Sequence, residues 1–308
     1  MCSSLIMTMY NLTTYGSAVS LEGYTFPNGI TALYCARHNL SSLVGCPSTV
    51  THLICGDNKL TSFEGCPAGL TKLDISNNLL TSFDGCPSTI TSLQIQHNKL
   101  TSLSGAPDGL TFLDCSSNLL TSLVGCPDSV TVLECNANDL PTLEGCPSNV
   151  NELVCSSNKL TSLKDCPSTV KILNCYNNHI TTLVGCPAGM VDLLCSSNEL
   201  TSLEGCPPNV KYLSFGHNRI ATLDGVPETV TELTCNFNEL TSLVGCPESV
   251  IKLYCDNNRL TSLEGCPLNV RYLDCDNNPG MPVYNSVPDL YIGITSGQYS
   301  AIERARNE

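Results

Sequence analysis

Leu143–Leu160 reads LEGCPSNVNELVCSSNKL, and the same spelling returns every 20 residues from Ile30 to Asn278 without an insertion. Leu113, Leu133, Leu153, Leu173 and Leu193 therefore form one column, and Asn118, Asn138, Asn158, Asn178 and Asn198 form another. A unit this short cannot bury an apolar face by itself and does so only by stacking on its neighbours, so the period predicts a solenoid. On this basis the chain divides into an N-terminal cap (1–29), an array of 20-residue units (30–278) and a C-terminal cap (279–308), together one elongated domain.

Within the unit, the alternation Leu153-Val154-Cys155 predicts a short parallel strand. Leu153 and Cys155 point inward; Glu152, Val154 and Ser156 point outward. The return path reads TSLxGCPxx. Pro recurs at every step from Pro47 to Pro267, with Gly two residues before it except at Asp165, which excludes a helix there. The expectation is an all-β-type solenoid with short parallel strands on one face, extended or polyproline-like returns and little helix. The Asn column, broken only at His38, is expected to form a ladder in which each amide bonds backbone groups freed where the strand ends. Recurrent Thr-Ser pairs such as Thr201-Ser202 read as turn grammar.

The 21 cysteines fall almost entirely into two columns, one in the strand (Cys35, Cys55 and on to Cys275) and one before the Pro (Cys46, Cys66 and on to Cys266). Disulfides, metal ligands and small core residues are the three readings. Ile75, Ile95 and Phe215 interrupt the first column, and Ala106 and Val226 the second. Only apolar residues substitute, and the losses are not paired between columns. That favours thiols as small buried hydrophobes. No CxxC or paired Cys/His spacing points to zinc, and no metal or other cofactor is expected.

Formal net charge is -14, from 28 acidic and 14 basic residues with no basic run. Nucleic acid and anionic membranes, which need concentrated positive surface, are disfavoured as partners; a basic surface on another protein fits better. No segment reaches the 18 or more apolar residues of a membrane helix. The first residues, MCSSLIMTMYNLTTYG, show no basic stretch and no clear cleavage site, so a cytoplasmic, reducing location is expected.

The placement of Leu143, Pro147, Val150, Leu153, Cys155, Asn158 and Leu160 resembles the 20-residue class of leucine-rich repeats, including the arrays of bacterial effectors. The version with Cys in the strand and an LTSLxGCP return also resembles repeat proteins of giant DNA viruses. The resemblance implies the solenoid fold and a protein-binding role. It does not carry over ubiquitin-ligase activity, because no segment outside the array matches a catalytic domain.

Inward positions are dictated by packing, so function is expected on the outward strand positions. Two groups stand out: an apolar series, Phe112, Val132, Val154, Ile172 and Leu194, and an aromatic series, Tyr176, Tyr212, Phe237, Tyr254 and Tyr272, beside Lys211, Lys252 and Arg271. Both have the composition of binding surfaces. Asp256, Asp274 and Asp276 gather oxygens without any calcium-loop spelling. The five histidines lie at variable positions, and no GxSxG, HExxH or phosphate loop occurs, so no catalytic residues are expected. The sequence reads as a non-enzymatic protein-binding module. The alternative is a structural or spacer component, for instance of a viral particle.

Overall fold

The structure is a computed structural model that describes residues 8–12 and 19–279. The C-terminal cap expected at 279–308 lies, from residue 280 onward, outside the described residues. Fourteen three-residue strands follow the chain: β1 (Met9–Asn11), β2 (Ala32–Tyr34), β3 (His52–Ile54), β4 (Lys72–Asp74), β5 (Ser92–Gln94), β6 (Phe112–Asp114) and β7 (Val132–Glu134), then β8 (Glu152–Val154), β9 (Ile172–Asn174), β10 (Asp192–Leu194), β11 (Tyr212–Ser214), β12 (Glu232–Thr234), β13 (Lys252–Tyr254) and β14 (Tyr272–Asp274). They are ordered β1 to β14 in one parallel sheet, and no helix occurs among the described residues. The contacts group the chain into two compact halves, one of residues up to 140 with 144–153, the other of 141–143 with 154 onward.

In the first half the register repeats without slippage: His52 faces Lys72, and Lys72 faces Ser92. At the start Met9 faces Ala32, three residues more than one period, so the opening coil is looser than the rest. The second half keeps the 20-residue offset from Ile172 facing Asp192 to Lys252 facing Tyr272. Inward residues are fully enclosed in both halves: Val150, Leu153, Cys155 and Leu160 have no exposed surface. Each such Leu contributes about 2 kcal/mol of burial that no isolated coil could realise.

The return segments are extended stretches broken by two turns. Cys46 N–H donates to Leu43 O at 2.9 Å, and Val50 N–H donates to Pro47 O at 3.1 Å; later coils copy both. Gly45 takes φ 94° at the third position of the first turn, the place where a type II turn needs positive φ. Asp165 is not among the positive-φ residues, so that one coil makes the turn without the left-handed residue. The Thr-Ser pairs have a defined job here. Ser62 Oγ accepts the Glu64 N–H at 3.3 Å, and Ser122 Oγ accepts that of Val124 at 3.1 Å.

The asparagine ladder is observed in full detail. Asn98 Nδ2 donates to Ile75 O of the coil before (3.1 Å) and to Ile95 O (3.0 Å) and Gln96 O (3.4 Å) of its own, while its Oδ1 accepts Leu80 N–H at 2.9 Å. In the second half Asn198 does the same with Cys175 O, Cys195 O, Ser196 O and Ile180 N–H. His38 fills the slot itself, with Nδ1 against Ala36 O at 2.6 Å.

A second device was not foreseen. The residue before each ladder position adopts a left-handed backbone, φ 49–64°, from Arg37 to Asn277. In most of these coils its N–H reaches the next coil, as Asp57 N–H to Ser76 O at 3.0 Å and Asn177 N–H to Ser196 O at 3.0 Å. This inter-coil bond offsets the roughly 1–2 kcal/mol that an L-residue loses in that conformation.

Two outcomes follow for stability. Asn98→Ala leaves the buried Leu80 N–H without its partner and takes one of two donors from each of Ile75 O, Ile95 O and Gln96 O, and should lower unfolding free energy by roughly 1–3 kcal/mol in urea titration. Ala at Gly145 (φ 85°) would drive its Cβ into the backbone N of Val124, whereas at Gly105, with the same φ, the nearest atom is Phe83 Cβ at 3.6 Å. Gly145→Ala should therefore destabilise distinctly more than Gly105→Ala, whose cost is the backbone strain of about 1–2 kcal/mol; equal shifts in midpoint would contradict the packing assignment.

Candidate functional site

Side chains at the first and third positions of the strands face outward, half-buried to exposed except for the buried Ala32, Asp114 and Ser214, and these positions hold eight of the sequence-predicted residues. In the first half Phe112 and Val132 face each other across β6 and β7, half-buried, with Asp114 opposite Glu134 two residues on. Asp114 is buried, its Oδ1 accepting Ser116 N–H at 3.0 Å. Burial, then Asp114 and Glu152, raise the pKa of Glu134, so this apolar pair is bordered by crowded carboxylates. Further toward the start, Met9, Ala32, His52, Ile54, Lys72 and Asp74 line a shallow hollow of about 200 Å³, which the small Ala32 leaves open. Burial and then Lys72 hold His52 toward its neutral form.

In the second half Val154, Ile172 and Leu194 lie on successive strands without forming a continuous stripe. Ile172 faces Asp192, and Leu194 faces Asn174, so polar residues alternate with the apolar ones. Tyr176 lies beyond the end of β9, its N–H bonded to Asn174 Oδ1 at 3.1 Å, and is 47% exposed.

The aromatic series separates into two groups. Tyr212, Glu232, Lys252 and Tyr272 stand in one row across β11 to β14. Lys252 Nζ binds Glu232 Oε2 at 2.9 Å in the middle of that row. Tyr254, two residues along β13, meets Tyr272 with ring centroids 4.9 Å apart and planes at 43°. Burial raises the Tyr254 phenol, with Glu232 and Tyr272 adding to it, and Tyr212 is within electrostatic reach. Tyr254 and Tyr272 thus form one pair, and Tyr212 stands at the far end of the row beyond Glu232 and Lys252. Phe237 belongs elsewhere: it occupies a left-handed position (φ 49°) and stacks on His217 at 4.1 Å with planes 11° apart.

His217 and Glu232 acquire roles that residue type alone did not assign. The readable signal for the left-handed column was its enrichment in Asn, Asp and His (Asp57, Asn77, His97, Asn177, His217, Asn257, Asn277), the side chains that tolerate positive φ.

Both cysteine columns are thiols, the strand column fully buried and the turn column mostly half-buried. Burial pushes Cys46, Cys66 and Cys186 up to about 12. Among the described residues no group of three or more His, Cys, Asp or Glu side chains is arranged to hold a metal ion.

Comparison of coils within the chain locates where the sequence is free to change. Residues 143–150, 203–210 and 263–270 spell LEGCPSNV, LEGCPPNV and LEGCPLNV, one residue apart from identity. Their outward strand positions read Glu152, Val154 and Ser156, then Tyr212, Ser214 and Gly216, then Tyr272, Asp274 and Asp276. In these three coils the returns are nearly constant while the strand faces differ.

No protein-family model matches the chain, and no curated protein matches it significantly. Solved structures do. YopM from Yersinia enterocolitica is 26% identical with a TM-score of 0.68 over 86% of this chain, and the match spans 63% of the YopM chain. The functional domain of InlJ from Listeria monocytogenes, described as including a cysteine ladder, is 25% identical with a TM-score of 0.60 over 80% of this chain and 67% of its own. The leucine-rich-repeat domain of FLRT2, solved in an octameric complex with Latrophilin 3 and Unc5D, gives 18% identity and a TM-score of 0.61 over 79% of this chain and 87% of its own. The fold is a solenoid of short leucine-rich repeats, with a column of stacked strand thiols.

The thiols set the response to alkali. Below pH 9 they are protonated in both folded and unfolded chains; above it the unfolded chain ionises while the folded chain, with pKa values near 12 at Cys46, Cys126 and Cys206, does not. Stability present below pH 9 should be lost between about pH 9 and 12, at up to about 1.4 kcal/mol per thiol per pH unit. Circular dichroism should show abrupt alkaline unfolding in that window, earlier than in a variant with turn-column Cys→Ala changes. Under denaturing, non-reducing conditions all 21 thiols should titrate.

Proposed function

We propose that this chain is a non-enzymatic recognition module that presents the strand face of its solenoid to a protein partner. The observation that carries this reading is the divergence of outward strand residues between coils whose returns are almost letter-identical. A spacer needs the stack alone, and nothing in stacking asks for Tyr212, Lys252 or Tyr272 on the surface. The apolar residues Val154, Ile172 and Leu194, interleaved with Asp192 and Asn174, have the mixed character of a protein interface rather than of a lipid-facing surface. No helix among the described residues is long and apolar enough to cross a membrane.

The excess of acidic residues supports a partner with a basic surface, and the thiol-filled interior suits a reducing compartment. The FLRT2 domain, a distant structural neighbour, was solved together with protein partners; here the partner is unidentified. The spacer alternative, as in a viral particle, rests on sequence resemblance.

Affinity purification from the native source followed by cross-linking tests the reading. One stoichiometric soluble partner cross-linked to the strand face is expected; accumulation in an assembled particle with no such cross-links would favour the spacer. With the partner in hand, joint replacement of Val154, Ile172 and Leu194 by Asp should weaken binding by about 100-fold or more with the circular dichroism spectrum unchanged, since hot-spot losses reach several kcal/mol. Undiminished affinity would remove this patch from the interface.

A further inference from the structure

We infer that the exposed row Lys59, Leu79, Lys99 and Leu119 is a second docking surface, which takes an acidic amphipathic helix of a protein partner. This goes beyond the strand-face reading and stands or falls separately from it.

The four residues occupy the position just after the ladder asparagine in successive coils of the first half, and all are exposed. Their backbone is fixed by the stack. Lys59 N–H donates to Leu40 O at 2.7 Å, Leu79 N–H to Leu60 O at 2.8 Å, Lys99 N–H to Leu80 O at 2.8 Å and Leu119 N–H to Leu100 O at 2.9 Å. The residue after each is a fully buried leucine: Leu60, Leu80, Leu100 and Leu120. Stacked coils therefore present lysine, leucine, lysine and leucine in one line at steps of about 4.8 Å.

The charge of this row runs against that of a chain with a formal net charge of -14. Among the described residues neither Lys59 nor Lys99 has a carboxylate within ion-pair distance. In the second half the same column reads His179, Glu199, Arg219, Glu239 and Arg259, with Glu199 bonded to His179 at 3.0 Å and Glu239 to Arg259 at 3.2 Å. There the chain supplies its own acids. In the first half leucine stands where those acids would be, with Leu79 38% and Leu119 52% exposed. The neighbouring left-handed column adds no unpaired acid: Arg37 holds Asp57 at 3.1 Å, and Asn77, His97 and Ser117 follow. Asp139 closes the row, its N–H on Leu120 O at 2.9 Å.

A partner that supplies the missing carboxylates must also cover the leucines, in alternation and at the spacing of the coils. One face of an α-helix presents residues i, i+4, i+7 and i+11, which advance about 5 Å per step. Acids at i and i+7 then meet Lys59 and Lys99, and apolar residues at i+4 and i+11 meet Leu79 and Leu119. An extended strand fits less well, because its same-face residues advance about 6.8 Å and lose step within two coils.

The test uses the whole chain and a fluorescent Ala-rich peptide of about 18 residues, long enough to be helical in water, with Glu at i and i+7 and Leu at i+4 and i+11. Binding is read by anisotropy against a Glu-to-Gln peptide and a scrambled peptide of the same composition. Preferential binding of the patterned acidic peptide is expected. Joint Lys59→Gln and Lys99→Gln should weaken it by about 10-fold, and joint Leu79→Ser and Leu119→Ser by about as much. Joint Lys171→Gln and Lys211→Gln, which removes the same charge from the second half, should stay within about twofold. An equal loss there would reduce the effect to long-range charge and overturn the inference, as would equal binding of either control peptide or no binding at all. Phosphatidylserine vesicles that bind through Lys59 and Lys99 in place of the peptide would assign the row to a lipid surface. A dimer in light scattering that Leu79→Ser and Leu119→Ser dissolve would assign it to a second copy of the chain. Either result overturns the inference and leaves the strand-face reading to the Val154, Ile172 and Leu194 replacements.

Discussion

Every coil depends on the hydrogen bonds that one asparagine makes to two coils at once. A chain that turns at the end of a three-residue strand leaves carbonyls and N–H groups pointing into the interior, where an unpaired group costs about 1–3 kcal/mol. Asn98 and Asn198 meet that demand with three donor bonds and one acceptor bond each, part to their own coil and part to the coil before. The ladder thereby ties backbone satisfaction to stacking. A coil is complete only when its neighbour is present, which is also why the apolar columns close only on stacking.

The same dependence explains the tolerance of the remaining positions. With strand register set by the ladder and returns set by two turns per coil, outward side chains carry almost no structural load. The near-identity of 143–150, 203–210 and 263–270 beside their diverged strand faces is the sequence record of that division. The cysteines belong to the constrained part. They act as small buried groups whose ionisation is suppressed by burial, in a fold shared with the InlJ domain and its cysteine ladder.

Much of the architecture was legible in LEGCPSNVNELVCSSNKL. The period, the inward Leu153 and Cys155, the ladder role of Asn158 and the absence of helix from the returns all follow from spacing and residue type, since each is a local demand repeated in every unit. The left-handed residue before each asparagine was not read, because Ser117, His217 and Phe237 share that conformation with no common side-chain chemistry. What they share is an N–H that bonds the next coil, a property of the stack.

The candidate surface was legible as a set of outward residues and not as an arrangement. Tyr212, Tyr254 and Tyr272 could be chosen from sequence as exposed aromatics, but Phe237 and Tyr176 could be chosen on the same grounds. The structure pairs Tyr254 with Tyr272, sets Tyr212 in one row with the Glu232–Lys252 ion pair, and places Phe237 against His217. The sequence by itself determined the solenoid, because a 20-residue unit with these columns has one way to bury its leucines and bond its backbone. Only the tertiary structure decided which outward side chains meet, because lateral neighbours on a parallel sheet are residues 18 to 22 apart, and their rotamers and ion pairs depend on coils that no single unit contains.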